Sequence, residues 1–127
     1  MIRGTVTDDR IPVIELFVDG KRWRAVVDTG FNGYLELPEL LRRAVKAQFI
    51  GHLESALAAG QTIVEENFIV EFPFDGETVE IEATFGPGDE ILIGTSLLRR
   101  HRLEIDFVKR FVQIDRECFD LGWLRLR

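Results

Sequence analysis

AVVDTGFNG, residues 25–33, is the stretch that decides the fold, because an apolar strand runs directly into a carboxylate. Aspartate is seldom fully buried without a partner, so Asp28 at the end of such a strand needs a chemical reason. Gly30 and Gly33 permit turns or close backbone approaches that a Cβ would obstruct. A bare Asp-Thr-Gly match is more often a strand ending in a polar turn than a site. The flanking sequence therefore has to decide between them.

The flanks supply two further segments. A short strand with the sequence YLEL follows at residues 34–37, and ILIGTSLL lies at residues 91–98. In the second segment, three apolar residues enter Gly94 just as residues 25–27 enter Asp28. The two halves form a faint internal repeat, and only the first half carries an acid.

This order and spacing resembles the retroviral-type (retropepsin-like) aspartic proteases. Their active-site signature is two apolar residues, Asp-Thr-Gly, a short strand, and later an apolar-apolar-Gly segment that leads into a helix. The chain is most similar to the small single-domain bacterial and archaeal relatives, over about residues 13–115. The resemblance implies a mainly β fold: a closed acid-protease barrel with two short helices and one lobe per chain.

Composition indicates one domain, which we expect to span residues 1–127. The chain is 46% hydrophobic, which is enough for a core of its own. No window approaches the run of about 20 apolar residues that a membrane span requires, and the polar start MIRGT is not a signal peptide. We therefore expect a cytoplasmic protein without membrane contact.

Charge and cysteine content argue against several function classes. The net charge is -6, and the one longer basic cluster is RRHR at residues 99–102, which argues against nucleic acid as a partner. The single cysteine, Cys118, excludes an intrachain disulfide framework and cannot build a metal site with His52 and His101, which are far away in sequence. We therefore expect neither a cofactor nor a bound metal.

Turn signals divide the chain into many short strands. Asp19-Gly20 and Asp75-Gly76 are strong hairpin signals, because Asp-Gly readily takes the positive φ of tight turns. Two short helices interrupt this pattern. Apolar residues recur at helical spacing over residues 38–47, with basic residues on a solvated face, and Thr95 is a suitable N-cap for a second helix to about His101.

Small residues form the tip of another predicted hairpin, whose strands we place at residues 52–58 and 61–72. In the resembled family this hairpin is the flap that closes over bound peptide; without the resemblance, an exposed surface hairpin is the simpler interpretation. The resemblance implies that substrate contacts come from this tip, from the loop after Asp28 and from the second apolar strand. The substrate-binding residues predicted in this way are Phe31, Asn32, Ala58, Ala59, Gly60, Gln61 and Ile93.

Peptide hydrolysis by this chemistry needs two carboxylates that share one proton, one to activate water and one to protonate the scissile carbonyl. The chain offers one Asp in the required setting, so a second copy must supply the other, and an active enzyme must be a homodimer. The resemblance assigns catalysis to Asp28, Thr29 and Gly30. Thr29 would form the hydrogen bonds between subunits, and Gly30 would lie beside the substrate.

Two positions depart from the family pattern. Phe31 replaces the common Ala or Ser, which removes a hydroxyl near Asp28 and adds a large ring. Ser96 stands where an acidic or amide residue is common. Two functions remain open: an aspartic endopeptidase that acts as a homodimer on peptides or proteins, which the complete signature favours, and a non-proteolytic barrel of the same fold that serves as a peptide-binding or dimerisation module.

Overall fold

The computed structural model describes residues 1–117, and Cys118 lies outside them. Over this range the chain forms ten β-strands and two short 3₁₀ turns. The strands are β1 (Ile2–Val6), β2 (Pro12–Val18), β3 (Lys21–Val27), β4 (Leu35–Pro38), β5 (Gln48–Ala56), β6 (Thr62–Phe74), β7 (Glu77–Gly86), β8 (Ile91–Ile93), β9 (His101–Asp106) and β10 (Phe111–Arg116). The predicted mainly β fold is confirmed.

All ten strands belong to one sheet, in the order β5-β6-β7-β4-β8-β3-β2-β1-β10-β9. The sheet curls, since β2 contacts β6 although the two strands are not neighbours. It does not close: β5 and β9 are its two edges, so the predicted closed barrel is wrong. The physical reason is that β5 and the first half of β6 form a hairpin whose residues are mostly exposed. This hairpin extends away from the core instead of pairing with β9.

The core holds the curled sheet together. Its largest fully buried side chains include Ile14, Leu35, Phe72, Ile91 and Ile114, which come from strands throughout the sheet. Burying one such side chain contributes about 1.5–3 kcal/mol relative to leaving it exposed. The central strands therefore provide a stable base for the loops that follow them.

Both Asp-Gly hairpin turns are confirmed. Asp19 and Gly20 join β2 to β3 with φ values of 53° and 75°, and Asp75 and Gly76 join β6 to β7 with φ values of 53° and 78°. Positive φ at both central residues matches the right-handed twist of the flanking strands. Because turn geometry fixes strand register, the first turn sets the register of β3 against β2 and therefore the position of Asp28, which follows β3.

Neither predicted α-helix is present in the described residues. Residues 38–47 form one 3₁₀ turn, Glu39–Leu41, and then irregular turns, while residues 95–100 form successive turns whose hydrogen bonds join residues three apart. Lys46 has a φ of 51°, which ends helical geometry. Segments this short gain too few hydrogen bonds to offset helix nucleation, so their contacts with neighbouring strands and loops decide the backbone.

Arg42 corrects the expectation that the basic residues of segment 38–47 form a solvated face. Its guanidinium carbon lies 4.5 Å from the ring centroids of both Phe68 and Phe85. The same group donates two hydrogen bonds to the Glu39 carboxylate, at 2.8 and 3.1 Å. Arg42 therefore covers an edge of the core, through contacts that combine cation–π and bidentate geometry.

β8 joins the two halves of the sheet. It is parallel to β3, with Val26 opposite Leu92, and antiparallel to β4. The two apolar strands of the faint sequence repeat are therefore direct neighbours. Just beyond them, the backbones of Gly33 and Gly94 lie so close that a Cβ on Gly94 would overlap the Gly33 carbonyl group.

Gly94→Ala is expected to lower the free energy of unfolding by about 2 kcal/mol or more, because backbone overlap cannot be relieved by rotating a side chain. Urea unfolding measures the change. Gly88→Ala is the matched control, since a Cβ there meets nothing within 4 Å, and we expect it to change stability by less than about 1 kcal/mol. Equal effects of the two substitutions would contradict this packing.

Candidate active site

Asp28 is the first residue after β3, and its position is fixed by hydrogen bonds. Its backbone N–H donates to the carbonyl oxygen of Ile93 at 2.9 Å, which continues the pairing of β3 with β8. Its half-buried side chain accepts a hydrogen bond at Oδ1 from the N–H of Gly30, at 3.0 Å. The N–H of Phe31 donates to the Asp28 carbonyl oxygen at 3.1 Å. The carboxylate therefore lies on a tight turn at the end of a core strand.

The loop after Asp28 is bound to the segment that follows β8. Thr95 donates to the carbonyl oxygen of Phe31 from its N–H at 2.8 Å and from its hydroxyl at 3.4 Å. Ser96 donates from its hydroxyl to the Asn32 carbonyl oxygen at 2.5 Å and from its N–H to the Gly33 carbonyl oxygen at 3.1 Å. These partners were not predicted from the sequence, because the two side-chain donors lie 64 residues from the carbonyl groups they bind.

A cleft of about 530 Å³ lies beside Asp28. Among the predicted site residues, Asp28, Gly30, Phe31 and Asn32 line it. The rest of the lining comes from the β5–β6 hairpin and from residues of β4, β7 and β8. A cleft of this volume is in the range of small-molecule and peptide side-chain sites, and the structure places the Asp28 carboxylate in its wall.

Two predicted residues of the strand ends lie outside the cleft lining. Thr29 is exposed next to Asp28. Ile93 is fully buried in the core, whereas the preceding residue, Leu92, lines the cleft. Successive residues of a strand point to opposite faces, so the alternation in β8 directs Leu92 to the cleft and Ile93 to the core.

The tip of the β5–β6 hairpin lies beyond the cleft. The predicted tip residues 58–61 include a 3₁₀ turn, Ala58–Gly60, which is closed by a hydrogen bond of 2.6 Å from the N–H of Leu57 to the carbonyl oxygen of Gln61. None of these four residues lines the cleft. The hairpin lines it below the tip instead, through side chains such as Leu53 and Ile63, which are about 40% exposed.

A polar part of the cleft lining, to which β6 of this hairpin contributes, was not predicted from the sequence. This part, which we call the acidic wall, consists of Glu36, Glu65, Asn67 and Glu82, and all four residues line the cleft. Asn67 is buried and donates from Nδ2 to the Glu82 carboxylate at 2.7 Å. Burial, and then the nearby charge of Glu65, raise the pKa of the Glu36 carboxyl group. The acids come from three strands, so no local motif announces them.

No three His, Cys, Asp or Glu side chains within residues 1–117 are grouped so that they could hold a metal ion. No helix that the structure describes is long and apolar enough to cross a bilayer.

Glu36→Gln is expected to abolish the decrease in the free energy of unfolding that ionisation of the Glu36 carboxyl group causes at higher pH. Because its pKa is raised in the folded protein, the folded state keeps this proton at higher pH than the unfolded chain does. The corresponding stability is present at low pH and is lost as the pH rises through the raised pKa. Between about pH 4 and pH 7 the parent should therefore lose stability relative to Glu36→Gln.

Urea unfolding at a series of pH values tests this expectation. Glu54→Gln is the control for removing one negative charge, since Glu54 lies on β5 between Leu53 and Ser55, which line the cleft, and so points to the opposite face. If the difference in the free energy of unfolding between Glu36→Gln and the parent stays constant with pH, the raised pKa of Glu36 is contradicted.

Several solved structures with a similar fold are aspartic proteases. The chain matches a retropepsin-like aspartic protease from Rickettsia conorii with a TM-score of 0.64 and 22% identity, over 91% of this chain and 89% of that chain. It matches the EIAV protease, solved in complex with the inhibitor HBY-793, with a TM-score of 0.56 and 12% identity, over 75% of this chain and 91% of that chain.

A third match is part of a longer protein. The foamy viral protease–reverse transcriptase, solved in complex with an RNA/DNA hybrid, aligns with 76% of this chain but only 13% of its own length, at a TM-score of 0.58 and 21% identity. Comparisons with protein-family models and with curated proteins gave no match. The order of strands, the Asp28 turn and these structural matches together show that the chain has a retropepsin-like fold.

Proposed function

We propose that this protein is an aspartic endopeptidase that acts as a homodimer on peptide or protein substrates. The observation that supports it most directly is the Asp28 carboxylate, which lies in the wall of a cleft and is held by the N–H of Gly30 at 3.0 Å. The chain around it has the fold of aspartic proteases of known structure. An aspartate at that place in this fold favours peptide hydrolysis.

The homodimer follows from the chemistry, which requires two paired carboxylates. Asp28 is the one aspartate among the described residues that line the cleft. Thr29 and Gly30, which follow it, are exposed, so a second copy can approach the turn. A two-fold axis beside this turn would bring two Asp28 carboxylates together by symmetry, with Thr29 in the contact between the copies.

Each Asp28 would then have a distinct role in catalysis. The ionised Asp28 accepts a proton from water as the water oxygen attacks the scissile carbonyl carbon, and the protonated Asp28 of the other copy donates its proton to the carbonyl oxygen. The resulting tetrahedral intermediate breaks its C–N bond as the first Asp28 gives the proton it took from water to the amine nitrogen and the second Asp28 takes a proton back from a hydroxyl group of the intermediate. The fixed turn contributes by holding the carboxylate in position, which removes the cost of ordering it during the reaction.

Asp28→Asn should lower peptide cleavage by roughly 10²–10⁴-fold, because an amide cannot act as the proton acceptor. Digestion of a peptide library, analysed by mass spectrometry, measures the effect. Asp19→Asn is the matched control, since Asp19 lies in the β2–β3 turn and Asn-Gly suits that turn equally well. Cleavage that persists in Asp28→Asn, or parent activity abolished by a chelator, would contradict the mechanism. Binding of peptides without cleavage would favour the non-proteolytic module.

The dimer makes a separate prediction, because each site needs Asp28 from both copies. Parent activity should rise more than linearly with protein concentration near the dimer dissociation constant. An excess of Asp28→Asn protein should inhibit the parent by forming mixed dimers, whereas an excess of Asp19→Asn should not. Sedimentation and activity measured on the same samples provide the test, and a fully active monomer would rule out the shared site.

A further inference from the structure

We propose that the cleft recognises a lysine or arginine side chain of its peptide substrate, and that the acidic wall forms the subsite for this side chain. The inference rests on the proposed function, since it specifies which peptide side chain the same cleft selects. It is carried by the charge of the cleft, by one buried polar atom without a partner, and by the apolar side chains that line the cleft beside the acidic wall.

The charge of the cleft has one sign. Asp28, Glu36, Glu65 and Glu82 line it, and none of the described lining residues is Lys, Arg or His. Across residues 1–117, no basic side chain forms an ion pair with the three glutamates of the wall. A cleft lined by one sign of charge concentrates groups of the opposite sign.

Asn67 provides the second, independent observation. Its side chain is 6% exposed, and its Oδ1 has no hydrogen-bond partner in the structure. The orientation of the amide is fixed by the Glu82 carboxylate, which can only accept a hydrogen bond and therefore pairs with Nδ2. The remaining buried acceptor is costly without a donor. Ammonium and guanidinium groups carry donors and no acceptors, so they suit this wall.

The burial of Glu36 distinguishes the wall from an ordinary solvated acidic surface. Hydrated surface carboxylates titrate near their usual pKa, whereas burial and the charge of Glu65 raise the pKa of Glu36. A cation beside Glu36 would oppose both effects, since it replaces lost hydration and offsets the repulsion. The wall is therefore complementary to a positive group that the isolated chain does not supply.

Apolar side chains beside the acidic wall, among them Leu53, which pairs with Glu65 across the β5–β6 hairpin, explain why the cation should be a long side chain. Leu53, Ile63 and Leu92 line the same cleft as the glutamates. Lysine and arginine bury an aliphatic stem on apolar surface while placing their charge in a polar environment. A metal ion would gain nothing from the leucine and isoleucine side chains, and within the described residues the acids are not grouped as a metal site. An extended basic side chain contacts the apolar and the acidic part of the lining together.

Oriented octapeptide pools test the subsite by two routes. Each pool is random except for one fixed position that holds Lys, Arg, norleucine or Glu, and the fixed position is moved along the peptide. Retention on immobilised Asp28→Asn protein measures binding, and digestion by the parent protein measures cleavage. Norleucine keeps the aliphatic stem of lysine and removes its charge, so the comparison of Lys with norleucine isolates the contribution of the acidic wall.

We expect the Lys and Arg pools to be preferred over norleucine by roughly tenfold at one fixed position. The preference should fall to about twofold or less when Glu36→Gln and Glu65→Gln are combined in either background, and it should persist in Glu54→Gln. Thermal unfolding checks that each variant is folded, and Glu65→Gln alone, with a partial loss of preference, replaces the double variant if that one is unfolded.

The outcomes separate the two proposals. Cleavage that depends on Asp28 but shows no basic preference, or a basic preference unchanged by the glutamine substitutions, overturns the subsite and leaves the endopeptidase intact. Retention of basic pools by an intact acidic wall, with no cleavage by the parent, supports the subsite and overturns the endopeptidase. Preference for norleucine or Glu, or no retention of any pool, overturns the subsite.

Discussion

The contact between the Asp28 loop and the segment after β8 is the constraint on which the rest of the candidate site depends. Gly33 and Gly94 approach so closely that a Cβ on Gly94 would overlap the Gly33 carbonyl group, and the Thr95 and Ser96 donors bind the carbonyl groups of the loop. A carboxylate on a free loop would sample many positions, and its ordering would cost conformational entropy. Here that cost is met during folding, when β3 and β8 pair.

Electrostatics impose a second constraint, since four carboxylates share one cleft without a basic residue in its described lining. Burial, and then the nearby charge of Glu65, raise the pKa of Glu36, so both desolvation and repulsion oppose its ionised form in the folded state. The stability of the protein comes from elsewhere, from side chains such as Phe72 and Ile114 in the core. Stored repulsion of this kind is common where a protein recognises a group of opposite charge.

The elements that were predicted correctly are those with local causes. Asp19-Gly20 and Asp75-Gly76 form turns because two adjacent residues must take positive φ. Asp28 was singled out because a strand of apolar residues leads directly into it. The prediction of a helix at 38–47 was wrong for the opposite reason. The apolar residues have helical spacing, but Arg42 packs on Phe68 and Phe85, which are distant in sequence, and the backbone follows these contacts.

The sequence by itself determined the strand content, the two Asp-Gly turns and the candidate carboxylate, since each depends on neighbouring residues. Only the tertiary structure decided that the sheet stays open, because this depends on where the β5–β6 hairpin points. It also decided which side of β8 faces the cleft, and it assembled the acidic wall from β4, β6 and β7. Those features depend on register between strands far apart in the chain, and a single sequence carries no local signal for such register.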